Sequence, residues 1–209
     1  MQKLFLTIKN NSMGELTEKK SRFIANIFYI KDEKDAEEKI AEVKKANRDA
    51  RHNVYAYRLD SGVEKYSDDG EPSGTAGVPI LDILRGEKLF NILIVVTRYF
   101  GGILLGGGGL VRAYSHSAKL GVDESKIITL MPWTVYKVSA DYTFYNKLDS
   151  LVRDLGGVIE NSDFSENVTL EFRLKKEMEN KLFKECADLT NGKVTPEECG
   201  TVIAEGWFL

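Results

Sequence analysis

The chain has 209 residues, 43% of them hydrophobic, and a formal net charge of -3, enough apolar material for one large domain or two small ones, of which two are expected. It holds no apolar run of the roughly 20 residues that a bilayer crossing needs. Met1 to Asn10 lacks the basic, apolar and small-residue regions of a secretion signal, so a cytoplasmic protein with no membrane partner is expected. Two cysteines, Cys186 and Cys199, and two histidines, His52 and His116, are too few and too scattered for a zinc or histidine metal site. Neither a metal nor a cofactor is expected. Residues 1 to 130 carry 20 basic against 18 acidic side chains, and residues 131 to 209 carry 9 against 14. The first part is therefore the better candidate for touching phosphates, which need local cations.

Glu18-Lys19-Lys20-Ser21-Arg22 interrupts two strand-like stretches, and Phe23 to Ile30 reads as a strand rich in aromatic and β-branched residues. A helix is predicted over Lys34 to Asn47, with Asp32 as its N-cap and Ala36, Ile40 and Val43 at helical spacing. His52 to Leu59 alternates as a half-buried strand does. The polar loop Tyr66 to Gly77 precedes a helix carrying Ile80, Leu81, Ile83 and Leu84, with Ser73 or Thr75 as its expected cap and Gly86 as its end. Asn91 to Thr97 is a continuous apolar run, the mark of an interior strand.

Leu110 to Gly121 reads as a helix ending at Gly121, Ile127 to Leu130 as a short strand, and Met131-Pro132 as a domain boundary. Beyond it the expected order is strand (134–142), helix (144–155), strand (158–164), strand (168–174), helix (176–189) and strand (193–204). That βαββαβ order is the ferredoxin-like arrangement, and the fold class expected overall is α+β in two domains, 1–130 and 131–209.

The segment from Val95 to Tyr114 moves from buried strand through a glycine-dense turn into a helix. Backbone N–H groups at Gly107, Gly108 and Gly109 can meet a ligand there without side-chain cover, and the helix N-terminus favours an anion. Arg98 and Arg112 lie at either end, so phosphate is the expected ligand. The same glycines, Gly101, Gly102 and Gly106 to Gly109, also read as a device for close helix–sheet packing or positive φ. The Lys-Ser/Thr pair of a P-loop is absent, since Leu110 and Val111 follow Gly109, and the spacing does not fit a dinucleotide fingerprint.

Asp68, Asp69 and Glu71 place three carboxylates within four residues. They suit Mg2+ or acid–base work, or else they fix turns and pair with arginines such as Arg98 or Arg112, the reading preferred here. Ser115, His116 and Ser117 do not make a hydrolase triad, because adjacent helical residues do not face one another. Tyr55, Tyr57, Tyr99, Phe100 and Tyr114, with Arg58, Arg98 and Arg112, offer stacking and phosphate contacts to RNA. Of these, Tyr99, Phe100 and Tyr114 flank the glycine turn.

Ser67-Asp68-Asp69-Gly70-Glu71-Pro72-Ser73-Gly74-Thr75-Ala76-Gly77 and Val96-Thr97-Arg98-Tyr99-Phe100-Gly101-Gly102-Ile103-Leu104-Leu105-Gly106 resemble the two signature stretches of the YigZ/IMPACT family. Gly108 to Tyr114 continues the second, and Lys19 to Phe23 and His52-Asn53 also fit. The resemblance spans nearly the whole chain. It implies that residues 1 to 130 share the fold of the second domain of a small-subunit ribosomal protein, also found in domain IV of elongation factor G and in GHMP kinases. Residues 131 to 209 would then resemble domain V of the elongation factor. Eukaryotic members of the family it resembles are linked to translational control through competition for the scaffold that activates a starvation-responsive kinase; they carry an extra amino-terminal binding domain, so that role is not carried over. The resemblance implies a non-enzymatic, translation-associated regulatory protein that binds RNA or the ribosome, with a protein partner as an alternative. The expected binding residues are Arg98, Tyr99, Phe100, Gly101, Gly102, Gly106, Gly107, Gly108, Gly109 and Arg112, with Asp68, Asp69 and Glu71 positioning the arginines. The other alternative is a Mg2+-dependent enzyme acting on a small phosphorylated ligand.

Overall fold

In the computed structural model, which describes residues 4–206, the chain opens on a short strand, β1 (Phe5–Ile8), and a hairpin of β2 (Ser12–Glu18) and β3 (Ser21–Tyr29). Lys19 and Lys20 form the two-residue turn at φ of 45° and 62°, the twist that joins antiparallel strands most tightly. α1 (Glu33–Ala46) begins where the Asp32 carboxylate accepts the Asp35 amide hydrogen at 2.9 Å, as expected of its cap. Next come β4 (His52–Arg58), β5 (Glu64–Ser67), α2 (Gly77–Gly86), β6 (Ile92–Tyr99) and α3 (Gly107–Asp123).

Five strands form an antiparallel sheet in the order β2-β3-β6-β4-β5. β6 lies in the middle, buried at every residue but Tyr99, because helices cover both faces. Ile92, Ile94 and Val96 enter the core shared with α2 and α3, whereas Leu93 and Val95 enter the core shared with α1. The unbroken apolar run thus comes from two covered faces rather than from parallel pairing.

Two helices of this unit differ from expectation at their ends. Ser73 and Thr75 do not cap α2. Asp68 does so from nine residues upstream, its Oδ1 accepting the amides of Ala76 (3.1 Å) and Gly77 (2.8 Å) and its Oδ2 that of Gly74 (2.9 Å). Thr75 instead donates its hydroxyl to the Pro72 carbonyl. α3 starts three residues earlier than read and runs through Gly121 to Asp123; Gly121 stays bare because Ile27 of β3 packs where its Cβ would lie.

By its contacts the chain divides into one unit of Phe5–Leu130 and another of Met131–Gly206 with Leu4. β7 (Ile127–Ala140) is unbroken, so Met131-Pro132 is not an interruption of secondary structure. Ile127–Leu130 pair with β1, and Thr134–Ala140 pair with β9. The second unit continues with α4 (Tyr145–Asp154), β8 (Val158–Phe164), β9 (Val168–Leu174), α5 (Glu179–Thr190) and β10 (Glu197–Gly206). Its sheet order, β10-β7-β9-β8, together with the βαββαβ chain order, is the ferredoxin-like arrangement expected. Tyr136, Val138, Leu170 and Phe172 of this sheet pack against Leu148, Leu151 and Leu182 of the helices. Among the described residues no helix is long and apolar enough to cross a membrane.

Candidate functional site

The site grows from the end of the central strand. Strand alternation sends successive side chains to opposite faces, so Arg98 joins Val96 on the side of α2 and α3, and Tyr99 goes to the side of α1. There the Tyr99 hydroxyl donates to the Asn47 side chain at 2.9 Å, beside the end of α1. Tyr99 was expected to flank the glycine turn together with Arg98; the period-2 geometry of β6 separates them.

Arg98 is only 5% exposed. Its Nη1 donates at 2.5 Å to Oε1 of Glu71, which is buried and accepts the Tyr114 hydroxyl at 2.7 Å on the same oxygen. β4 lies in register with β6 and sets His52 opposite Arg98, with His52 Nε2 3.8 Å from the same Glu71 oxygen. His52 Nδ1 lies 2.8 Å from the Asp69 carbonyl; because a carbonyl only accepts, that nitrogen carries the hydrogen. Burial, reinforced by the Glu71 carboxylate, pushes the Tyr114 phenol far above its ordinary range. Tyr114 is therefore a fixed neutral donor rather than a stacking platform.

The three acidic residues do not converge. Asp68 caps α2, and Asp69 accepts the Asn53 amide at 2.7 Å and pairs with Lys44 at 2.6 Å. Glu71 balances Arg98. Among the described residues no three His, Cys, Asp or Glu side chains are grouped to hold a metal, and the carboxylates act as the turn-fixing, arginine-pairing alternative describes. Arg112 is not their partner; it is exposed, and its Nη1 lies 3.6 Å from where a Cβ on Gly108 would be.

The glycine turn mixes two uses. Gly101 is structural: a Cβ there would run into the backbone of Lys20 and Ser21, and its amide donates to the Ser21 hydroxyl at 3.1 Å. Gly102 and Gly106 take positive φ, 84° and 73°. Gly106 is the N-cap of α3, and the first helical bond runs from the Leu110 amide to its carbonyl at 2.9 Å. The amides of Gly107, Gly108 and Gly109 therefore have no intrahelical acceptor, no side chain among the described residues caps them, and the first turn contains no acid.

Of these three residues, Gly107 borders a cleft of about 480 Å3. Arg98, Glu71 and His52 line it, Arg51 and Phe100 stand at its edge, and Gly106 and Gly107 lie at the helix end. Phe100 is 37% exposed and Leu104 82%. The Arg51 and Arg98 guanidinium groups lie 5.2 Å and 5.5 Å from the centre of the Phe100 ring. Gly109 and Arg112 line a second, smaller cleft of about 220 Å3 together with Lys19 and His116. Arg98 and Arg112 thus belong to two clefts on either side of Leu105, which lines both.

Arg51, Lys19 and Lys20 were not singled out as binding residues. All three are exposed, as is Arg112, and none of the four makes an ion pair among the described residues. Lys19 and Lys20 were legible as a break between two strand-like stretches, but the approach of Lys20 to Gly101 depends on the sheet order. His52 carried no signal beyond the family resemblance.

A family model described as the Impact N-terminal domain matches residues 19–122, and one described as Domain of unknown function (DUF1949) matches residues 138–193. IMPACT family member YvyE of Bacillus subtilis (strain 168) is 38% identical over 191 residues, covering 90% of this chain and 88% of the relative. The chain belongs to the IMPACT family. Its other family relatives include YigZ of Escherichia coli (strain K12), 34% identical over 84% of this chain and 88% of that one. The Protein IMPACT homolog of Dictyostelium discoideum is 41% identical over 48% of this chain and 29% of its own length. A solved structure described as "Crystal structure of an hypothetical protein" aligns with a TM-score of 0.63 at 32% identity, covering 94% of this IMPACT family chain and 97% of that one.

Proposed function

We propose that this IMPACT family protein is a translation-associated regulator that binds RNA or a ribonucleoprotein surface through the face carrying the α3 N-terminus. The observation that carries the reading is the set of unpaired cations, Lys19, Lys20, Arg51 and Arg112, around three uncapped helix amides. Cations without internal carboxylate partners are available to phosphates, and phosphate contacts supply most non-specific nucleic-acid affinity. The exposed Phe100 adds a ring on which a base stacks. Arg98 holds the cleft wall in place, while Arg51 and Arg112 carry the exchangeable charge.

Binding of the full chain to purified ribosomal subunits and to RNA, followed across a salt series, tests this. Arg51→Ala and Arg112→Ala are each expected to weaken binding and to reduce the salt slope by about one phosphate contact. Binding that is absent even at low salt, or slopes unchanged in both variants, would remove the proposal and favour a protein-binding adaptor.

A further inference from the structure

We propose that the apolar wall of the cleft beside Leu104 docks a protein: an apolar side chain of a protein component of the ribonucleoprotein rests on it, while the rim cations hold RNA phosphates alongside. The proposal rests on the RNA-face reading and names the partner of the apolar part of that face. Leu104, Leu105, Leu110 and Pro72 line the cleft of about 480 Å3 together with Phe100, a volume within the roughly 300–1,000 Å3 of clefts that enclose small groups. Leu105 and Leu110 belong to the core of the unit, whereas Leu104 is 82% exposed and Ile103, next to it in the chain, 41%. Contiguous apolar surface with a polar rim marks contact with another macromolecule.

The loop holds Leu104 out between two fixed points. On one side the Gly101 amide is bonded to the Ser21 hydroxyl and Gly102 takes φ of 84°; on the other Leu105 is buried. A side chain presented in this way meets a partner without the ordering cost of a free loop. Its chemistry selects the partner. RNA offers phosphates, hydroxyls and base edges, and base faces that stack on Phe100; the aliphatic Leu104 and Ile103 gain instead from burial against another apolar side chain. Charge complementarity fixes what surrounds that side chain. Arg51 lines the same cleft, and Lys19, Lys20 and Arg112 stay exposed without ion pairs among the described residues, so the partner carries anions around its apolar group, as a protein embedded in RNA does. His52, Glu71 and Arg98 also line the cleft, which makes it a poor bed for lipid chains. One protein side chain laid on the apolar wall leaves those polar groups undisturbed.

The test compares binding of the full chain to purified ribosomal subunits and to the protein-free ribosomal RNA extracted from them, at one salt and Mg2+ concentration, with vesicles of phosphatidylglycerol as a third arm. Leu104→Ser is expected to weaken binding to subunits about tenfold and to leave binding to the extracted RNA and the thermal midpoint unchanged, because the side chain is exposed. Leu104→Met, which keeps the apolar volume, is expected to bind subunits as the parent does. Arg51→Ala, by contrast, should weaken both. A Leu104→Ser variant that binds subunits as tightly as the parent, or loses subunits and extracted RNA alike, overturns the docking proposal and leaves the RNA-face reading standing. Parent protein that binds extracted RNA as tightly as subunits does the same. Vesicles bound by the parent and released by Leu104→Ser assign the wall to lipid and overturn the proposal. Parent protein that binds neither subunits nor RNA removes the RNA-face reading, and the docking proposal with it.

Discussion

The acidic loop before α2 and the basic rim of the glycine turn lie on one unit and carry opposite charge in opposite ways. In the loop, Asp68 is bonded to three amides, Asp69 to Asn53 and Lys44, and Glu71 to Arg98 and Tyr114. On the rim, Lys19, Lys20, Arg51 and Arg112 stay exposed without ion pairs among the described residues. Acids whose lone pairs are filled by the fold hold the site's shape, and cations left open meet the ligand. A near-neutral charge count over residues 1 to 130 therefore hides a basic surface.

Breaking the inner half should cost the most. Glu71→Ala leaves the Arg98 guanidinium buried without its counter-ion, and is expected to lower stability by about 3–5 kcal/mol, read as a shift of the urea midpoint. A loss below about 1 kcal/mol would mean that the pair is solvated. Gly101→Ala, which drives a methyl into the Lys20–Ser21 backbone, should cost at least about 2 kcal/mol. The melting temperature of that variant checks whether Gly101 serves packing rather than a ligand.

Tyr114→Phe should cost about 1 kcal/mol at neutral pH and change the alkaline response. The folded phenol is held well above its ordinary value by burial and by Glu71. Below pH about 10 it is neutral in both states, and above that the unfolded chain alone gives up the proton. Stability should therefore fall as pH rises past about 10, and less steeply in Tyr114→Phe; urea curves at two alkaline pH values decide it, and parallel slopes would count against a buried neutral Tyr114. The smallest stability effect belongs to the rim. Arg51→Ala and Arg112→Ala should stay within about 0.5 kcal/mol of the parent protein, and a larger loss in either would show that the rim also holds the fold.

Local rules made much of the fold legible. Asp32 capped a helix where an N-cap residue precedes helical spacing, and the βαββαβ order of the second unit followed from apolar periods of 2 and 3.6. Helix ends without a local signal were misjudged. Ser73 and Thr75 stand where a cap belongs, but Asp68 reaches all three amides because the loop folds back on itself. The site was legible in part: Gly106, Gly107 and Phe100 line the cleft, whereas Tyr99 lies on the opposite face and Gly109 and Arg112 in a second cleft.

Sequence by itself determined the family, the two-part α+β organisation and the glycine-led start of α3, because motif, periodicity and backbone freedom are properties of neighbouring residues. Only the tertiary structure decided which charges are free. Pairing Arg98 with Glu71 spans 27 residues, and bringing His52 opposite Arg98 takes the β4–β6 register. Such neutralisation depends on strand order and burial, which place groups distant in the chain within a few ångströms of one another.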